Sequence, residues 1–344
     1  MGPSATRDTG TLTTAVSVPV IPDIDGALQD RLVAGMADVQ RRLQEVIAHD
    51  DGFIAEAAGH LAQAGGKRFR PLLTLLCAEV GEGRNDRVVD AAVGVELTHL
   101  ASLYHDDVMD EAELRRGVQS ANLRYGNAVS ILIGDLLFGT ASSVIADLGP
   151  EAVKVQARTF VRLCSGQIRD ERAPAADADP ADYYLGVLAD KTGSLIATAA
   201  WYGATFGGCD ARTRDILTSY AEKLGVVFQL ADDLLDVSSE AADSGKTPGT
   251  DLREGKATLP VLYARGSTDP GDSRLRELLA GPIGDADEVA EAVALLRVHP
   301  AMEQARQHTQ QVADEARALL ADLPDQPPVR ALRALVDGVA DRSA

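Results

Sequence analysis

The pentad Asp-Asp-x-x-Asp occurs twice in this 344-residue chain, at 106–110 and at 232–236. Each copy closes an apolar stretch with helical spacing, "LTHLASLY" before the first and "KLGVVFQLA" before the second. On a helix, residues four apart lie one turn above each other, so Asp106 projects with Asp110 and Asp232 with Asp236. Asp107 and Asp233 sit about 100° round the axis and need not reach the same point. Like charges at this spacing repel and cost helix stability unless a cation joins them. Hard carboxylate oxygens suit Mg²⁺, which takes one or two carboxylates and fills its shell with water and phosphate oxygens. A single pentad in an acidic protein reads equally well as a solvated face. The duplication, and the apolar run behind each copy, decide for two facing helices around metal ions.

The rest of the chain supports helices and little else. Apolar residues recur at spacings of three and four from Asp25 onward. Helices are expected in "LQDRLVAGMADVQRRLQEVIA", from Pro71 through "PLLTLLCAEVG", and near 88–110, 126–148, 151–170, 180–208 and 210–237, with more towards the C-terminus. No strand-like alternation of useful length and no solenoid period is present. With 45 % apolar residues rich in Ala and Leu, and only 4 % aromatics, the composition agrees with an all-α chain. Residues 1–24 read as a disordered leader and 25–344 as one helical domain. No window offers 18 apolar residues free of charge, so no membrane-spanning helix and a cytoplasmic protein are expected. Cys77, Cys164 and Cys209 fit neither a disulfide framework nor a zinc site, and are expected buried and reduced.

The formal net charge of −19 excludes a nucleic-acid partner, which would need a basic face. Against that background the placement of the basic residues carries information. Arg115 and Arg116 follow the first pentad, Lys67, Arg68 and Arg70 flank Gly65-Gly66, and Lys191, Lys246 and Lys256 punctuate the later segments. Arginine grips phosphate with its planar fork and lysine acts as a mobile point charge. Singly, each is a solubilising surface residue. Together, beside glycines and acidic clusters, they describe a polyphosphate held by metal on one side and by cations on the other.

Six blocks in order, "GGKRFRP" (65–71), "HDDVMDEAELRRG" (105–117), "YGNAVSILIGDLLF" (125–138), "KTGSL" (191–195), "FQLADDLLD" (228–236) and "GKTPGTDLREGKATLP" (245–260), resemble the signature of trans-isoprenyl diphosphate synthases. The resemblance covers roughly residues 30–340. It implies a single large all-α bundle of the isoprenoid synthase type with a central active-site cavity, usually a homodimer. It also implies head-to-tail condensation of an allylic diphosphate with isopentenyl diphosphate. By the same resemblance Asp106, Asp110 and Asp232 would bind three Mg²⁺, with Asp107, Asp233 and Asp236 supporting the clusters or acting through water. Arg115, Lys191, Lys246, Lys256 and Gln229 would meet the allylic diphosphate or a closing loop. Lys67, Arg70, His99 and Arg116 would hold isopentenyl diphosphate, while dipoles at Lys191 and Thr192 would soften the allylic cation. His105 fits the pattern in a capping or supporting role, and Gln119 stands where proline is usual.

Product length should follow from what blocks the space beneath the first pentad. Stepping back from Asp106, the residues are Ser102 and Ala101, then Thr98, Gly94 and Ala91, all small. That argues for an open tunnel and an all-trans product of about C30 or longer, with a geranylgeranyl or farnesyl product the alternative. Close helix packing would explain small residues too, with Phe138 or Trp201 as the floor. A class I terpene cyclase would need neither "GGKRFRP" nor an Asp-rich second cluster. A non-catalytic synthase subunit would have eroded clusters, and here both are intact. A generic acidic cation-binding protein leaves the basic set unexplained.

Overall fold

The computed structural model describes residues 21, 24–238 and 248–343. The expected leader is not entirely outside the body. Ile21 is 2 % exposed within the core and Ile24 packs against it, so burial begins before residue 25. Lys246 lies outside the described residues.

The expected helices form, with their ends set by local chemistry. Helix α1 (Gly26–Ile47) starts where the Asp25 carboxylate accepts from the Leu28 amide at 3.0 Å. Helix α2 (Gly52–Gln63) is capped in the same way by Asp51. Helix α3 (Phe69–Ala78) holds Pro71 in its first turn and begins two residues before it. The long α4 (Asp86–Met109) opens on Asn85 and ends with Asp110 as its cap.

The chain then makes a structure the periodicity did not indicate. Residues Leu114–Arg115 (β1) pair antiparallel with Val118–Gln119 (β2), in the register Leu114–Gln119 and Arg115–Val118. Two residues per strand are too few to show alternation in a sequence.

Helices α5 (Ala121–Tyr125), α6 (Asn127–Ala146) and α7 (Pro150–Asp170) follow. Next, α8 (Pro180–Leu188) and α9 (Ser194–Phe206) are joined by a wide π-turn over Ala189–Gly193. Helix α10 (Ala211–Ser238) carries the second pentad. A short α11 (Thr250–Glu254), then Leu259–Arg265, Ser273–Leu278, Ala286–Val298, Pro300–Leu319 and Pro327–Ala340, complete the bundle.

The core is one continuous apolar cluster reaching from α1 to the last helix. Helices α4 and α6 pack closely because glycines lie between them. A Cβ on Gly94 would stand 2.5 Å from the Ile145 Cδ1 atom, and one on Gly134 only 2.3 Å from the His105 Nε2 atom. One expectation is corrected at the surface. Cys77 is buried, but Cys164 is exposed, because one side of α7 faces solvent. Helix α6 is long and apolar enough to cross a bilayer by length and composition, its single Asp135 notwithstanding, and 39 % of that apolar stretch is buried inside the fold. Ile131, Leu132 and Leu136 of α6, with Phe160, Val161 and Ile168 of α7, leave a large apolar face exposed.

Candidate active site

The first pentad divides its three carboxylates between two tasks. Asp107 is fully buried. It accepts from the Arg115 Nε at 2.6 Å and from the Ala121 amide at 2.7 Å, tying the end of α4 to the hairpin and to α5. Asp106 is half-buried, and among the described residues nothing donates a hydrogen bond to its carboxylate. Burial, with the Asp110 charge adding and Lys191 opposing, raises its pKa to about 6. Asp110 is exposed and shares the Arg115 guanidinium at 3.2 Å. An unpaired, partly desolvated carboxylate one turn from a second one is the donor set a hard cation needs.

The second pentad likewise buries its middle carboxylate. Asp233 is buried, accepting from the Tyr184 hydroxyl and from the Gln229 amide at 3.1 Å. Burial raises its pKa to about 7, against the opposing Tyr184 bond. Asp232 is exposed. Asp236 accepts from the Thr250 and Asp251 amides at 3.2 and 3.1 Å, so it fastens the start of α11. Gln229, expected to meet substrate, is here engaged with Asp233.

Lys191 sits in the π-turn, where its Nζ donates to Asp170 at 2.7 Å while its charge reaches Asp106. Thr192 is half-buried beside it. The turn is wedged between two neighbours. A Cβ on Gly166 of α7 would lie 2.5 Å from the Lys191 amide nitrogen, and one on Gly225 of α10 would lie 2.7 Å from the Gly193 Cα. Asp190 is held by Arg162 at 2.8 Å and Arg169 at 3.1 Å. Lys256 pairs with Glu254 at 2.5 Å and feels the charge of Asp110, linking the segment after α11 to the first pentad.

On the other side of the hairpin a second cationic group gathers. Arg116 donates to the carbonyls of Leu61 at 3.1 Å and Gly65 at 2.8 Å, and lies 3.7 Å from the buried Glu96. Arg68 is committed to Glu96 and to the Ala62 carbonyl. Arg70 is not committed: its Nε is enclosed with no hydrogen-bond partner among the described residues. Burial lowers its pKa only to about 10, so it stays charged. Lys67 is exposed, and no carboxylate pairs with it among the described residues. His99 is half-buried, and burial together with Arg70 and Arg116 pushes its pKa well down. It is therefore a neutral imidazole among guanidiniums. A charged guanidinium with a buried Nε left unpaired favours the approach of an anion.

His105 turns away towards α6, with Nε2 at 3.2 Å from the Ile131 carbonyl. Beneath the first pentad, Thr98 borders a narrow void about the size of one water, with Ile145, Thr159, Thr198 and Tyr202. Ile145 packs into the place that Gly94 leaves, which narrows this void. Ala101 is wholly buried and, like Ser102, does not border the void; neither do Phe138 and Trp201. Asp170, Tyr184, Glu96 and Asp190 were not anticipated. Only Glu96 left a signal, as a lone acid inside the apolar run "VGVELTHL".

The polyprenyl synthetase family model matches residues 51–296. A nonaprenyl diphosphate synthase of Mycobacterium tuberculosis is 47 % identical over 310 residues, covering 90 % of this chain and 92 % of that protein. A dimethylallyltranstransferase of the same organism is 40 % identical over 304 residues, covering 88 % of this chain and 92 % of that protein. Among solved structures, a geranylgeranyl pyrophosphate synthase from Corynebacterium glutamicum, complexed with calcium and isoprenyl diphosphate, superposes with a TM-score of 0.84. It is 41 % identical, and the match covers 93 % of this chain and 98 % of that one.

Proposed function

The chain belongs to the polyprenyl synthetase family, and on that footing we propose that it condenses isopentenyl diphosphate with an allylic diphosphate, head to tail. It is a prenyltransferase, and the product we assign is an all-trans polyprenyl diphosphate of C30 or longer. The observation that carries the reading is the hairpin with a carboxylate pair suited to a divalent cation on one side and a basic group suited to an anion on the other. One side has Asp106 with Asp110; the other has the half-buried Arg70, whose Nε is buried with no hydrogen-bond partner among the described residues. Two sites fit two diphosphates.

Asp106, Asp110 and Asp232 would hold Mg²⁺, three ions with substrate bound, which when present neutralises charge on the allylic diphosphate. Arg115, Lys191 and Lys256, joined by Lys246, would stabilise the charge that grows on that diphosphate as its C–O bond breaks. Lys67, Arg70, His99 and Arg116 would fix the isopentenyl diphosphate so that its double bond faces the cation. The carbonyl of Lys191 and the hydroxyl of Thr192 present dipoles to that cation. The proton released after bond formation passes to the departed diphosphate, so no separate base is required.

Two observations favour a shorter, geranylgeranyl product as a second reading: the narrow void beneath Thr98, and the likeness to a geranylgeranyl pyrophosphate synthase. The apolar face on α6 and α7 supports a homodimer, with a second copy rather than lipid against it and the enzyme in the cytoplasm. Diphosphate release that needs both Mg²⁺ and isopentenyl diphosphate is the expected result for the purified protein. Release without isopentenyl diphosphate would identify a cyclase, and no release a binding protein.

A further inference from the structure

The hairpin Leu114–Gln119 carries both Arg115 and Arg116, so its placement decides whether the two arginines face their separate diphosphates. Arg115 is secured by its own carboxylates, Asp107 and Asp110. Arg116 is secured by the carbonyls of Leu61 and Gly65, at and just after the end of α2. Its backbone is strained, with φ at +54°, a value that non-glycine residues rarely adopt. A strained residue persists only where its surroundings over-determine it.

At the base of the hairpin, Ser120 bonds to the carbonyls of Ala112 and Glu113 within the same segment, and one further contact ties the base to α2. The His60 Nε2 lies 2.7 Å from the carbonyl of Gln119, the residue paired with Leu114. On the other side of the ring, the Arg124 guanidinium lies 3.4 Å from Nδ1. A guanidinium can only donate, so Nδ1 accepts and the proton sits on Nε2, where it donates to Gln119. Arg124 is itself held by Glu56 at 2.7 Å, and the imidazole stands edge-on to Tyr125 with ring centroids 5.5 Å apart. Thus α2 grips the hairpin twice: at the base through His60, and near the tip through the carbonyl that Arg116 uses one residue further on.

We propose that His60 is a positioning residue for the isopentenyl diphosphate site, locking the hairpin to α2 so that Arg116 stays in register with Arg70 and His99. It touches no substrate and acts through Arg116. The inference rests on the assignment of Arg116 to isopentenyl diphosphate made above. Because Arg115 has independent anchors, loss of the lock affects one substrate and not the other.

Steady-state kinetics of His60→Ala, His60→Phe and His60→Gln test this, with a thermal melt of each. His60→Phe keeps the ring against Tyr125 but has no donor; His60→Gln restores a donor without the ring. The Ala and Phe variants should raise KM for isopentenyl diphosphate about fivefold, leaving kcat and the allylic KM within about twofold, and Gln should recover most of the loss. If Ala fails to fold, the Phe and Gln variants decide alone. Phe matching the native enzyme, Gln no better than Phe, or both KM values rising together would overturn the proposal. A native enzyme that does not consume isopentenyl diphosphate would overturn the functional reading as well.

Discussion

Asp107 and Asp233 hold the same place in their pentads and share a fate: each is buried and bonded to protein groups, while its neighbours Asp106 and Asp232 are not buried. In both pentads the middle carboxylate is the one fixed inside the fold, while Asp106, Asp110 and Asp232 are half-buried or exposed. For Asp233 this has a measurable sign. Its pKa of about 7 lies above the ordinary 3.8, chiefly because it is buried, so the folded chain keeps a proton that the unfolded chain releases. The stability owed to this group is therefore greatest at low pH and falls as pH rises from about 4 to about 7. Without Mg²⁺, urea unfolding of the native protein should show that decline, and Asp233→Asn should flatten it. An unchanged slope would show that Asp233 is already ionised across the range.

Among the elements, the helices were legible because their signals are local: apolar spacing, Asn or Asp caps, and proline in first turns at Pro71, Pro150 and Pro180. The two acidic pentads and the basic residues were also visible in the sequence, as residue types at fixed spacing. The π-turn over Ala189–Gly193 was not legible, since a register change inside a helix depends on what packs against it. Gly166 and Gly225, distant in sequence, make the room. Asp170 and Tyr184 escaped notice for the same reason, because their partners Lys191 and Asp233 are 21 and 49 residues away. The turn's role can be tested through its seat. Gly166→Ala puts a methyl where the Lys191 amide now lies, which should cost about 1–3 kcal/mol of stability and lower kcat at least tenfold, roughly the effect of misplacing a catalytic group by a fraction of an ångström. A folded variant with native kcat would mean that Lys191 needs no such seat.

At the scale of the whole molecule, the small residues before the first pentad proved to have two uses that the sequence could not separate. Gly94 and Ala101 let α4 lie close to α6, while Thr98, together with Gly94, borders the void beneath the first pentad. The face left exposed on α6 and α7 is the other global feature. If a second copy covers it, Leu132→Asp should convert a dimer into a folded monomer in sedimentation velocity, since one buried carboxylate per subunit is strongly unfavourable there. A native protein that sediments as a monomer would remove the dimer from the account.

The most direct test of the central claim is the fate of labelled isopentenyl diphosphate given to the purified protein with Mg²⁺ and farnesyl diphosphate, read as product length by chromatography. Successive additions to C30 or longer, shortened when Thr98→Phe fills the void, are the predicted result. Elongation that stops at the geranylgeranyl product would contradict the assigned length, and label that never enters an apolar product would contradict the condensation itself.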